Sequence, residues 1–204
     1  MKNVGIIDYG LGNAKSVFNM ILRAGGIPHL VSNPAEINQM DILILPGVGS
    51  FDNAISKLEN LNMIDSIRQF PEDKNKLLIG ICLGFQLLFD SSEEGIKKGL
   101  SLVEGEVKQF RGERGSKLLN MGWRKIESKD AVFKSIHETQ KFYFVHKYYG
   151  LPNDKNVSIA RTHHGIDFCC AIRSINIIGF QFHPEKSHNY GLELFQNLLK
   201  LTES

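Results

Sequence analysis

The first eighty residues alternate short uninterrupted apolar runs with longer amphipathic stretches. Val4 to Asp8 (VGIID) reads as a buried strand. A glycine-rich turn, YGLGN, leads into a helix expected from Asn13 to Ala24 and closed by Gly25 and Gly26. A short strand is predicted over Pro28 to Val31 and another over Asp41 to Pro46; helical material from Phe51 to about Phe70 precedes a third apolar run, Leu77 to Ile81. Strands that are apolar at every position, separated by helices, are those of a parallel sheet covered on both faces. Beyond Leu100 the period changes, and strand-like pieces follow at short intervals: LVEGEVKQF, WRKIE, FYFVHKYYG, VSIAR, FCCAIR and IIGFQFH. A last helix, Asn189 to Leu201, is expected to pack back on the sheet. The pattern predicts an α/β protein with a central mostly parallel sheet, helices on both faces and a β-rich second half, but it does not fix the strand order.

No repeat, low-complexity segment or proline-rich linker interrupts the 204 residues, so one domain over 1–204 is expected. Twenty-four Lys and Arg against 22 Asp and Glu give a formal charge of +2, dispersed along the chain, which argues against nucleic-acid or membrane-surface binding. No apolar stretch approaches membrane-spanning length, and no secretory leader is expected at the amino terminus. Three cysteines, two of them adjacent, make a poor disulfide framework and favour a reducing compartment, hence a cytoplasmic location.

In open α/β sheets, functional groups collect beyond the carboxyl ends of the strands. Three such turns carry chemistry here. Gly80-Ile81-Cys82-Leu83-Gly84 joins the apolar run to the helical stretch FQLLFDSS and has the form of a nucleophile elbow, with cysteine in place of serine. A helix amino terminus would favour its thiolate. Taken alone, Cys82 reads equally as an inert buried thiol. The run IIGFQF ends in His183-Pro184-Glu185, a base with an acid placed to orient it. Together, a cysteine elbow and a distant His-Pro-Glu point to nucleophilic acyl chemistry. The third turn, Pro46-Gly47-Val48-Gly49-Ser50-Phe51, could present backbone N–H groups to an oxyanion, jointly with the N–H of Leu83.

Other signals are weaker. Gly10-Leu11-Gly12 begins like a dinucleotide fingerprint, but Lys15 stands where the third glycine would be. His163 and His164 lack metal-ligand spacing and read as turn residues, while Cys169 and Cys170 read as buried thiols in a strand. His146 fits either a strand face or a site. No metal and no cofactor are expected.

The segments DYGLGN, PGVGSF, GICLGFQLLFDSSEEG, MGW (121–123), FYFVHKYY and GFQFHPEKS resemble the class I (triad) glutamine amidotransferases over nearly the whole chain, and within them the glutaminase subunit of imidazole glycerol phosphate synthase. The resemblance implies a flavodoxin-like α/β domain in which Cys82, His183 and Glu185 release ammonia from glutamine through a thioester. It implies further that Gln86 and Glu94 hold the substrate and that Val48, Gly49 and Leu83 form the oxyanion hole. The implied partner is a (β/α)8 barrel cyclase making imidazole glycerol phosphate and an aminoimidazole carboxamide ribotide for histidine and purine metabolism. Asn13, Trp123 and Lys186 match positions at or near that interface, although a lone Trp is by default a core aromatic. One departure is visible: the pattern has histidine before MGW and asparagine after it, whereas Asn120 and Arg124 stand here. A paralogous glutaminase, supplying ammonia to an amidotransferase that installs amidine groups on bacterial surface sugars, is therefore the alternative. A cysteine hydrolase or peptidase on a similar fold is a third reading.

Overall fold

A computed structural model describes residues 1–112, 115–134 and 140–201. Five strands form the parallel part of the main sheet: β1 (Asn3–Ile7), β2 (Ile27–Val31), β3 (Ile42–Gly47), β4 (Leu77–Cys82) and β13 (Ile177–Phe180). Their order is β2-β1-β3-β4-β13, with every neighbouring pair parallel. This is the flavodoxin-like winding, which places a switch point between β1 and β3. The sheet continues antiparallel through β12 (Ile166–Ser174), β11 (Ser158–His164) and the short β8 (Glu127–Ser128).

The helices are α1 (Ala14–Ala24), α2 (Pro34–Ile37), α3 (Phe51–Asn60), α4 (Ile64–Gln69), α5 (Leu83–Leu87) and α6 (His188–Leu201). Strand alternation divides the core between the two faces of the sheet. Ile42, Ile44, Ile79 and Ile81 point to the face covered by Val17 and Ile21 of α1 and Leu194, Phe195 and Leu198 of α6. Leu43, Leu45 and Leu78 point to the other face, under Ile55 and Leu58 of α3, Ile67 of α4 and Phe85 of α5. Both faces being covered explains why ILIL and LLIGI carry no polar alternation.

The β-rich second half also builds two small sheets. One has the order β10-β6-β5, from Tyr148–Pro152, Gly105–Gln109 and Ser91–Ser92; the other pairs β7 (Asn120–Lys125) with β9 (Lys141–His146). Two expectations are corrected here. The stretch FQLLFDSS is not one helix: α5 ends at Leu87, and Ser91 and Ser92 join β6 as a strand. FYFVHKYYG is not one strand, because Lys147 separates β9 from β10, which pair with different partners.

Candidate active site

Strand register brings the three sequence-predicted turns to one edge of the sheet. Gly47 pairs with Cys82 between β3 and β4, and Phe180 pairs with Ile81 between β13 and β4. The glycine loop, the thiol and the His-Pro-Glu turn therefore leave the sheet side by side.

Cys82 sits at φ 55° and ψ −105°, a conformation that non-glycine residues rarely adopt. The surrounding packing enforces it. A Cβ on Gly80 would lie 2.8 Å from the Gly84 carbonyl oxygen, and one on Gly84 would lie 1.8 Å from the Leu45 carbonyl oxygen. The elbow thus needs glycine on both sides because the turn is pressed against its own strand and against β3. A strained nucleophile held by an over-determined turn is a feature of catalytic sites.

His183 is buried, and its Nδ1 lies 2.8 Å from Glu185 Oε1, whose side chain is equally buried. The short 3-10 turn Pro184–Lys186 makes this contact between residues only two apart. Ser187 locks the turn: its hydroxyl donates to the His183 carbonyl at 2.6 Å and accepts from Tyr143 N–H at 3.1 Å. Among the described residues His183 Nε2 makes no hydrogen bond of good geometry, and its electrostatic partner is the Cys82 sulfur. Burial disfavours a charged imidazole. The charge of Cys82 and the Glu185 carboxylate outweigh it, however, and raise His183 from 6.5 to about 10. The histidine is therefore disposed to hold a proton beside Cys82.

A cavity of about 360 Å3 opens above the thiol, lined among others by Val48, Gly49, Leu83, Gln86, Glu94, His146 and His183. Gly49 has φ +109° and open space where a Cβ would be, so its constraint is the backbone conformation alone. Glu94 is anchored at the amino terminus of α3: its Oε2 accepts from Phe51 N–H at 2.9 Å. The Asp52 carboxylate accepts from Ile96 and Lys97 N–H and so clasps the loop that carries Glu94. Burial raises the Glu94 pKa, assisted by the nearby Asp52 charge. Gln86 is buried in α5, and its amide donates to the Tyr148 carbonyl and to Gln181 Oε1, at 2.9 and 3.1 Å.

The residues matched to an interface lie outside this cavity. Asn13 is half-buried at the amino end of α1, and Lys186 is exposed. Trp123 is not a core aromatic: it is 43% exposed and stacks on His188 with ring centroids 5.2 Å apart and planes 8° from parallel. His163 and His164 end strand β11 rather than lying in a turn. His163 is exposed against Asp167 at 2.6 Å, whereas His164 is buried and accepts at Nδ1 from Arg124. Cys169 and Cys170 are buried in β12, as expected.

Gly12 belongs to the site in a way its motif did not indicate. A Cβ there would lie 3.2 Å from Gly47 N, so the GLG turn is the floor under the PGVG loop. Tyr9, beside that turn, donates its hydroxyl to the Pro46 carbonyl at 2.8 Å and would collide with any side chain at Gly47. Its pKa is pushed far up by burial and then by the Cys82 charge. Neither Tyr9 nor Gln181 was singled out from sequence, although both lie inside the quoted motifs DYGLGN and GFQFHPEKS.

The profile of the family Glutamine amidotransferase class-I matches residues 5–201. The chain belongs to that family. Glutamine hydrolysis as the enzyme class follows from this membership. Similar proteins include imidazole glycerol phosphate synthase subunit HisH 2 of Methanococcus maripaludis, 40% identical over 97% of this chain and 98% of that protein. Imidazole glycerol phosphate synthase subunit HisH of Sulfurimonas denitrificans is 41% identical over 97% of each. Among solved structures, a chain of PurLQS from Thermotoga maritima superposes with TM-score 0.76 at 19% identity, covering 98% of this chain and 99% of that one. A crystal structure of a glutamine amidotransferase gives 0.75 at 18% identity, over 98% and 99%. At such identities these two likenesses speak for the fold, and they agree with the expected flavodoxin-like α/β class.

Proposed function

We propose that this class-I glutamine amidotransferase works as the glutaminase subunit of an ammonia-using synthase, with Cys82, His183 and Glu185 as its catalytic triad. The observation that carries the assignment is the strained Cys82 elbow sharing one cavity with His183, which is itself held by Glu185. The Cys82 thiolate attacks the side-chain amide carbon of glutamine. The oxyanion that forms is met by backbone N–H groups of the Val48-Gly49 loop and of Leu83. Protonated His183 gives its proton from Nε2 to the departing nitrogen, and ammonia leaves behind a γ-glutamyl thioester. His183, now neutral, takes a proton from water, which attacks the thioester; glutamate departs and the thiol is restored. Glu185 keeps Nδ1 protonated throughout, so that Nε2 does the exchanging. Glu94 suits the substrate's α-ammonium group, and Gln86 offers a polar contact deep in the cavity.

Ammonia set free in water at neutral pH is mostly protonated and no longer nucleophilic, so a shielded acceptor is required. The names of the relatives support imidazole glycerol phosphate synthase as the assembly. The partner is then a (β/α)8 barrel cyclase subunit docked on the face bearing Asn13, Trp123 and Lys186. A second acceptor, a surface-sugar amidotransferase, is favoured by one observation: Asn120 and Arg124 replace the usual histidine and asparagine beside Trp123 and are bound inward, to His146 and His164. Among the described residues no helix is long and apolar enough to cross a membrane. The free thiols suit a reducing cytoplasm.

The test is glutamine hydrolysis by the purified chain, alone and with a cognate cyclase and its phosphoribosyl substrate. Strong stimulation supports the histidine-pathway synthase. Hydrolysis indifferent to that cyclase moves the acceptor to the surface-sugar branch, and absence of hydrolysis in every setting overturns the glutaminase assignment.

A further inference from the structure

Glutamine brings to the cavity more than the amide that Cys82 attacks: its far end is a zwitterion, with an ammonium and a carboxylate diverging from one carbon. A carboxylate drawn out of water needs a cation or hydrogen-bond donors in exchange. Neither residue implied for the substrate supplies them. Glu94 is itself negative, and both N–H groups of Gln86 are given to the Tyr148 carbonyl and to Gln181. Among the described residues that line the cavity, Lys147 is the single lysine or arginine, as Glu94 is the single aspartate or glutamate. Lys147 is the residue at which the chain breaks between β9 and β10. Its backbone is pinned, because its carbonyl accepts from Phe110 N–H at 3.1 Å, whereas the residue as a whole is exposed.

Lys147 and Glu94 attract one another, yet no ion pair joins them, and among the described residues the Lys147 ammonium makes no hydrogen bond. The Glu94 carboxylate turns to Phe51 N–H instead. Opposite charges held near each other but apart, in the cavity that holds the thiol, complement a zwitterion: each keeps a side free for one of its two charges. Arg111 is no substitute, since it does not line the cavity and its guanidinium is tied to both oxygens of Glu93, at 2.9 and 3.0 Å. We propose that Lys147 is a substrate-specificity residue: its ammonium receives the α-carboxylate of glutamine while Glu94 receives the α-ammonium, so that the cavity selects the free amino acid over carboxyl-blocked or peptide-borne glutamine. This inference rests on the glutaminase reading of the cavity. Were Lys147 only a counter-charge to Glu94, its removal would alter the hold on the α-ammonium, which free and carboxyl-blocked glutamine share.

The experiment measures labelling of Cys82 in the full chain, by mass spectrometry, with the glutamine-like diazoketone 6-diazo-5-oxo-L-norleucine and with its α-methyl ester, which keeps the ammonium and masks the carboxylate. The unaltered chain is expected to half-saturate at about fivefold lower concentration of the acid than of the ester, a modest preference because the exposed ammonium is screened by water. Lys147→Met raises the half-saturating concentration of the acid about fivefold and leaves that of the ester, and the maximal labelling rate, within about twofold. Lys147→Arg keeps the preference, and Glu94→Gln weakens acid and ester together. An unaltered chain indifferent to the ester, a parallel loss of acid and ester in Lys147→Met, or a preference for the acid that survives that substitution overturns the proposal. An unaltered chain whose Cys82 takes the small alkylator iodoacetamide but neither diazoketone overturns the glutaminase reading, and the inference with it.

Discussion

Gly84 is packed so tightly beneath Leu45 that a single added carbon would lie 1.8 Å from the Leu45 carbonyl oxygen. That contact seats the first turn of α5 on β3 and holds Cys82 in its strained conformation. Gly84→Ala should therefore cost about 3 kcal/mol of stability, since the obstruction is backbone and cannot turn aside. Gly49→Ala is the contrasting case: open space surrounds the position, and only its φ of +109° opposes a side chain. It should cost about 1 kcal/mol in stability, yet lower kcat about 100-fold by turning an oxyanion donor away. Thermal unfolding beside steady-state glutaminase rates separates the two effects.

Cys82→Ala should abolish glutamine-dependent synthesis by the assembled enzyme and leave ammonium-dependent synthesis intact, because only the ammonia supply is lost. The same substitution removes the largest influence that raises His183. Burial is then opposed by Glu185 alone, and the imidazole should titrate below its value in the unaltered chain. NMR of the ring carbons reads this directly; an unmoved titration would place the source of the shift elsewhere than the thiol.

Strands β1, β3 and β4 were legible to within a residue because they are buried on both faces, which writes them as nearly unbroken apolar runs; β2, an edge strand with Ile27 and Leu30 exposed, was legible only from its place after Gly25 and Gly26. The second half was legible only as strand material. Whether FYFVHKYYG is one strand or two depends on which distant segments pair with it, and the break at Lys147 exists because β9 and β10 face different partners. Likewise α5 is cut short by a contact its own sequence does not contain: the Asp90 carboxylate accepts from Gly105 N–H as the chain enters the small sheet. At the site, Cys82, His183 and Glu185 announced themselves by residue type and turn context. Tyr9 did not, since a buried tyrosine carries no chemical signature until its hydroxyl is seen under the PGVG loop.

His146 and His183 should give stability opposite pH dependences. Burial depresses His146 from 6.5 to about 3, so between those values the unfolded chain binds a proton that the folded chain refuses. Stability should fall on acidification below pH 6.5 by about 1.4 kcal/mol per pH unit from this group alone. His183 is raised, so its contribution is complete below pH 6.5 and is lost as pH climbs towards about 10. Denaturant midpoints from pH 4 to 9 check both limbs. His146→Gln should flatten the acid limb specifically; an acid limb unchanged in that variant would assign the loss to other groups.

Glu94 illustrates a carboxylate kept for binding at some expense to folding. Burial, with Asp52 nearby, raises its pKa, so the folded protein holds the charged form less comfortably than water does. A group raised in this way contributes stability that is present below the unfolded carboxylate pKa and is lost as pH rises through the folded value. At neutral pH, Glu94→Gln should therefore leave the protein as stable or slightly more so, because the amide oxygen can still accept from Phe51 N–H. The glutamine α-ammonium group would meanwhile lose its counter-charge, and KM should rise about tenfold or more with kcat far less affected. Measuring melting temperature and KM on the same preparation tests the pair of effects: a variant that loses stability together with affinity would make Glu94 a structural clasp for the loop after β5 rather than a substrate ligand.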